Sequence, residues 1–171
     1  TSKSSAHCLL MGRVAELAKQ DGLYTVCLEG IDKGEKVQSR RIIDVLSDFI
    51  NPFEEYEKYL SYAKSEDLEV IISNTTEAGI ALDPSDTDFT KCPKSFPGKL
   101  LALLSARYEH FNGDMSKGLA IIPCELIDHN GDELKRVMLE LAGINKMSMG
   151  FIKWLTEANH FTSTLVDRIV P

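Results

Sequence analysis

Apolar positions along this chain fall into short runs, each closed by a cluster of polar, charged or turn-forming residues. Residues 8–20 carry Leu10, Val14, Leu17 and Ala18 at helical spacing, and Asp21-Gly22 ends that stripe. Residues 23–28 are rich in β-formers, and Asp32-Lys33-Gly34 is a turn. Residues 37–45 can then return as the second arm of a hairpin or as a neighbouring strand. Asn51-Pro52 with Glu54 carries the cap, proline and acid of a helix start, which predicts a helix to about Lys64. Its inward positions would be Phe53, Tyr56, Tyr59 or Leu60, and Ala63.

The second half alternates more clearly. Residues 68–72 form an apolar run of the kind found in a parallel strand buried on both faces. Residues 83–94, with two prolines and three aspartates, read as a surface loop. Pro97 opens a helix through about Phe111, with Leu100, Leu101, Leu104 and Tyr108 on its buried side. Residues 118–122 form another buried strand that stops at Pro123, and helices follow over 130–141 and 149–158. Asn130 is placed as N-cap of the first, with Glu133 as its box partner. Short apolar strands alternating with helices indicate an α/β domain with a mainly parallel sheet. The apolar segment 161–169 has no following element to cover it, so a longer parent protein is expected.

With 171 residues, 43% of them hydrophobic, the chain is long enough for one domain with a sizeable core. A net charge of −7, with no Lys/Arg cluster, speaks against nucleic acid but leaves room for a small anionic substrate beside a local Arg or Lys. Cys8, Cys27, Cys92 and Cys124 are scattered, without metal-ligand spacing. They read as free buried thiols in a reducing cytosol. No apolar run reaches the length of a membrane span and no signal peptide is visible, so a soluble cytoplasmic protein is expected.

Candidate chemistry sits where strands end, because ligands of open α/β sheets bind outside the carboxyl ends of the strands. Asn74, Thr75, Thr76 and Glu77 either hydrogen-bond a ribose, a nicotinamide carboxamide or a substrate hydroxyl, or they cap the sheet edge. Glu125 and Asp128 follow the next strand and mark either a polar small-molecule site or a solvated connection. Asp167-Arg168 is either an internal ion pair or a place where the guanidinium fork grips a carboxylate. His110, His129 and His160 lie at helix ends or in loops, outside any triad-like arrangement. No G-x-G-x-x-G occurs, so the phosphate-cradling turn of a dinucleotide domain is not in this sequence.

Three segments carry more than a generic pattern: Ser-Asn-Thr-Thr-Glu-Ala-Gly-Ile at 73–80, Ile-Ile-Pro-Cys-Glu-Leu-Ile-Asp-His-Asn-Gly at 121–131, and Ser-Thr-Leu-Val-Asp-Arg-Ile-Val-Pro at 163–171. Together with Gln-Asp-Gly-Leu-Tyr-Thr at 20–25, they resemble the long-chain mannitol dehydrogenase family, most of all its tagaturonate reductase (altronate oxidoreductase) branch. The resemblance covers nearly the whole chain. It implies that residues 1–171 form part of a Rossmann-like NAD-binding domain that is incomplete at its N-terminus. The Gly-rich turn would precede Thr1, and a helical substrate domain of the same polypeptide would follow Pro171. The family's catalytic lysine, in a K-x-x-x-x-N-x-x-H pattern, belongs to that later domain, and no such pattern occurs here.

By this resemblance Asn74, Thr75, Thr76 and Glu77 lie beside the nicotinamide of NAD, while Glu125, Asp167 and Arg168 lie near a sugar-acid substrate, with no metal involved. Leu126 departs from the pattern: it stands where mannitol dehydrogenases carry an asparagine linked to oxyanion stabilisation. That loss favours a hexuronate such as tagaturonate over a polyol. Fructuronate, a hexitol, or a stand-alone binding module without catalysis are the alternatives.

Overall fold

Residues 24–43 form a β-hairpin. Strand β1 (Tyr24–Asp32) pairs antiparallel with β2 (Glu35–Ile43), from Tyr24 opposite Ile43 to Asp32 opposite Glu35. Lys33 and Gly34 make the two-residue loop, with φ of 51° and 87°. Positive φ at both positions is the type I′ geometry, whose twist matches that of the flanking strands. Of the two sequence alternatives for residues 37–45, the returning arm is the one formed. The computed structural model of this protein describes residues 14–76 and 78–165, apart from the side chains of Val14, Ala15 and Asp32. Within the predicted 8–20 stripe, helix α1 covers Val14–Ala18, and positions 8–13 lie outside the described residues.

The chain divides into two compact units, Thr1–Glu55 and Tyr56–Pro171, where composition alone predicts a single core. The second unit opens with α2 (Tyr56–Ser61), which tightens into a 3-10 turn over Tyr62–Lys64. That start is later than expected. Asn51 does accept from nearby amides, through its side chain from Phe53 and through its carbonyl from Glu54 and Glu55, but it closes a turn, not a helix. Phe53 is consequently 63% exposed, whereas Tyr59 and Ala63 are buried as expected.

Strand β3 (Val70–Ser73), helix α3 (Phe96–His110), strand β4 (Ala120–Pro123), helices α4 (Asn130–Ile144) and α5 (Met149–Glu157), and strand β5 (His160–Phe161) complete the unit. The sheet is parallel in the order β3-β4-β5. Sequential order with right-handed crossovers places α3, α4 and α5 on one face, and these helices do contact one another. On that face Ile121 is fully buried. On the other face Val70 is 44% and Ile72 67% exposed. The expectation that β3 is buried on both sides therefore fails: strand side chains alternate between faces, and in this unit helices cover only one.

The core is mostly leucine. Leu100, Leu101, Leu103 and Leu104 of α3 meet Leu134, Met138 and Leu141 of α4, and Phe151, Trp154 and Leu155 of α5, all buried. Each such side chain contributes roughly 1.5–3 kcal/mol by leaving water. Three polar residues fix the geometry from inside. Arg107, 2% exposed, donates to the carbonyls of Ala63, Ser65, Leu68 and Lys117 at 2.6–3.1 Å, tying α3 to the entry of β3. Asn159 accepts from the Leu119 amide and donates to the Trp154 carbonyl, which sets β5 beside β4. Asp86 lies within the predicted surface loop but is buried, accepting from Lys94 N–H, Ser95 N–H and the Ser95 hydroxyl ahead of α3.

Candidate functional site

All three parallel strands end at the same edge, and the loops that leave them line one groove of about 1100 Å³. That is slightly above the range of ordinary small-molecule pockets, roughly 300–1,000 Å³. After β3 come Asn74, Thr75 and Thr76; after β4 come residues 124–129; after β5 come Ser163, Thr164 and Leu165. Asn74, Thr75, Thr76 and Glu125, the described ones among the expected site residues, all border this groove. Glu77, Asp167 and Arg168 lie outside the described residues.

Glu125 borders the groove but shows it little surface. It is 3% exposed, and its carboxylate accepts the Ser73 hydroxyl at 3.0 Å, the Thr75 backbone N–H at 3.1 Å and the Thr75 hydroxyl at 2.8 Å. The Cys124 amide adds a bond to the Ser73 carbonyl. Within the protein this acid acts as a clamp between two loops. Asp128 is the acid that faces outward, with its side chain 97% exposed. Asn74, Thr75 and Thr76 are all exposed; the Thr76 carbonyl accepts the Gly79 N–H, the side chains of Asn74 and Thr76 have no hydrogen-bond partner among the described residues, and the Thr75 hydroxyl is used by Glu125. Leu126, 59% exposed, presents an apolar surface to the groove.

Asn130 also departs from its expected place. The cap position belongs to His129, in the left-handed region with φ 50° and with no side-chain cap bond, and Asn130 is the first helical residue. Fully buried, it donates to the Glu125 carbonyl at 3.0 Å and to the Thr164 carbonyl and hydroxyl at 3.2 and 3.1 Å. Its Oδ1 accepts the Thr164 N–H at 2.9 Å. Glu133 forms no capping box. It pairs bidentately with Arg136, which holds its carboxyl below the usual range through the hydrogen bonds and the adjacent charge.

The histidines separate by position. His129 borders the groove between Asp128 and Asp132, at 3.8 and 3.6 Å. His110 stacks edge-on against Phe111 on the last turn of α3, and His160 begins β5; neither lines the groove. Cys124 lines it. The described cysteines Cys27, Cys92 and Cys124 are free, but none is buried as expected: Cys27 is exposed and the others half-buried. Among the described residues no His/Cys/Asp/Glu group is arranged to hold a metal ion, and no helix is long and apolar enough to cross a membrane.

Comparison with known proteins gives a consistent picture. The family model described as the mannitol dehydrogenase Rossmann domain matches residues 7–171. Altronate oxidoreductase of Bacillus subtilis (strain 168) is 48% identical over 159 residues, 93% of this chain and 33% of that protein. Altronate oxidoreductase of Phocaeicola vulgatus is 46% identical over 160 residues, 94% of this chain and 33% of that protein. The chain spans about a third of the length of these curated relatives.

Two solved structures share the fold at 19% identity. Pseudomonas fluorescens mannitol 2-dehydrogenase, in a ternary complex with NAD and D-mannitol, aligns with a TM-score of 0.67, covering 86% of this chain and 31% of that one. A substrate-free D-sorbitol dehydrogenase aligns with a TM-score of 0.69, covering 87% and 32%. The architecture is a Rossmann-like α/β fold with parallel and antiparallel pairing and flanking helices.

Proposed function

The chain belongs to the mannitol dehydrogenase family through its Rossmann domain, and from that premise we propose that it forms part of an NAD-dependent oxidoreductase interconverting tagaturonate and altronate. Residues 1–171 would be a partial cofactor-binding domain, with the Gly-rich phosphate turn and a helical substrate domain supplied by flanking sequence in a cytoplasmic enzyme. The observation that carries the reading is the groove at the carboxyl edge of β3, β4 and β5.

The residues present fit the nicotinamide end of such a cofactor. Asn74 and Thr76 offer an amide and a hydroxyl left uncommitted among the described residues, a match for a carboxamide that both donates and accepts. A bound dinucleotide would supply the hydride. The chain's own residues hold the site in shape: Glu125 fixes the Thr75 backbone, and Asn130 fixes the segment leading to Asp167 and Arg168. Arg168 would clamp the carboxylate of the sugar acid, which a guanidinium does bidentately, while Asp167 would lie near the substrate and Glu77 beside the nicotinamide. The proton donor would be the lysine of the following domain.

The choice of a hexuronate rests on the relatives named altronate oxidoreductase and on Leu126, which puts an apolar side chain into the groove where a polyol enzyme carries an amide donor. The test is NADH oxidation by the complete polypeptide with tagaturonate, fructuronate and fructose in parallel. Tagaturonate should give the highest kcat/KM. Faster turnover of fructuronate or fructose would move the assignment to the corresponding branch of the family.

A further inference from the structure

Resting on that reading of the groove, we propose that Glu125 is a positioning residue whose buried carboxylate fixes Thr75, so that Asn74 and Thr76 on either side are presented to the nicotinamide end of the cofactor. Asn74, Thr75 and Thr76 are all exposed and all line the groove. Anchoring Thr75 at both its backbone amide and its hydroxyl restricts the backbone from which its two neighbours project. The clamp spans fifty positions of sequence and joins the exits of two neighbouring strands. The Ser73 hydroxyl on the same carboxylate and the Cys124 amide on the Ser73 carbonyl keep those exits in register.

The carboxylate meets three donors within the protein: one amide and two hydroxyls. A glutamine can satisfy the same set. Its carbonyl oxygen would take the Thr75 amide and hydroxyl, and its NH2 would donate to the Ser73 hydroxyl, which can accept as well as donate. An alanine satisfies none of them. A residue acting through its shape and acceptors therefore separates from one acting on the ligand through its charge.

The experiment uses the complete polypeptide with Glu125→Gln, Glu125→Ala and Thr75→Val, reading amide exchange over residues 73–76, NADH titration, and kcat and KM for the keto-acid. Glu125→Ala should lose Thr75 amide protection and weaken NADH binding by roughly tenfold, the equivalent of about one lost hydrogen bond to a charged group. Glu125→Gln should restore both to within about threefold of the parent, and Thr75→Val should fall between. The proposal is overturned if Glu125→Gln weakens NADH binding as much as Glu125→Ala while the Thr75 amide stays protected, since the charge would then meet the ligand. Unchanged exchange in Glu125→Ala overturns it too. A parent protein that neither binds NADH nor turns over a keto-acid would instead reject the functional reading, and the exchange data would still judge the clamp.

Discussion

Asn130 and Thr164 are bonded to each other in both directions. The Thr164 N–H donates to Asn130 Oδ1 at 2.9 Å, and Asn130 Nδ2 donates back to the Thr164 carbonyl at 3.2 Å and hydroxyl at 3.1 Å. One side chain at the start of α4 thereby serves as an artificial strand partner for the chain leaving β5. The Thr164 hydroxyl extends the link to the Pro123 carbonyl at the end of β4. With Glu125 joining β4 to β3, the loops of all three strands are stitched into one wall.

Asn130→Ala removes the Asn130–Thr164 bonds and the one to the Glu125 carbonyl, and leaves part-buried groups of Thr164 and the buried Glu125 carbonyl without that partner. At about 1–3 kcal/mol for a stranded buried group, the expected loss is about 3 kcal/mol. Urea unfolding of the variant and its parent measures it. A loss below about 0.5 kcal/mol, the scale of an ordinary surface change, would contradict the account.

Gly131, the next residue, passes so close to the β5 exit that an added Cβ would lie 2.6 Å from the Thr162 carbonyl carbon and 2.7 Å from Ser163 N. Those are backbone atoms and cannot rotate away. Gly131→Ala should therefore cost about 1–3 kcal/mol by overpacking, although alanine is the better helix former. Thermal unfolding gives the sign directly.

Arg107 satisfies four backbone carbonyls from α3, and no other residue type carries donors in the same planar fork. Arg107→Ala should destabilise by at least about 3 kcal/mol. Arg107→Lys should recover only part, because a single ammonium cannot reach four acceptors spread around the edge of the guanidinium. Equal stability of Arg107→Lys and the parent would show that charge alone suffices.

Tyr59 is buried and donates its hydroxyl to the Lys99 carbonyl at 2.9 Å. Burial first, then neighbouring Tyr56 and Cys92, push its pKa up, and burial raises that of Tyr56 to about 12. For an acid whose folded pKa is raised, the neutral form is favoured in the fold. Its contribution is complete below the ordinary value of 10.0 and is lost as pH rises above it. Stability should hold to about pH 10 and fall beyond it, and Tyr59→Phe should flatten that fall while losing about 1 kcal/mol at neutral pH. Denaturant midpoints across the alkaline range test both halves.

The sequence displays those features that depend on local pattern. The α3 stripe, the parallel strands, the hairpin turn and the polar tips at Asn74 and Glu125 all follow from spacing and turn chemistry. What it conceals depends on contacts far apart in the chain. Arg107 and Asp86 read as ordinary polar residues and Asn130 as a helix cap, because nothing local reveals that carbonyls or amides from other elements will surround them. Asn130 is the sharpest case: its identity suits a cap, but Thr164 claims its side chain, and His129 takes the cap position. Glu125 was visible as an acid at the right edge, yet only the fold shows that Ser73 and Thr75 consume both of its oxygens. Phe53 was misplaced because Asn51 can close a turn as readily as it can start a helix.

The central claim, that these stitched loops form the nicotinamide wall of a keto-hexuronate reductase, is tested most directly by NADH oxidation in the complete polypeptide. Parent, Asp167→Ala and Glu77→Ala would be compared with tagaturonate as substrate. The account predicts tagaturonate-dependent NADH oxidation by the parent and a lowered kcat/KM in both folded variants. No NADH consumption by the parent with any keto-hexuronate, or unchanged kinetics in both variants, would contradict it.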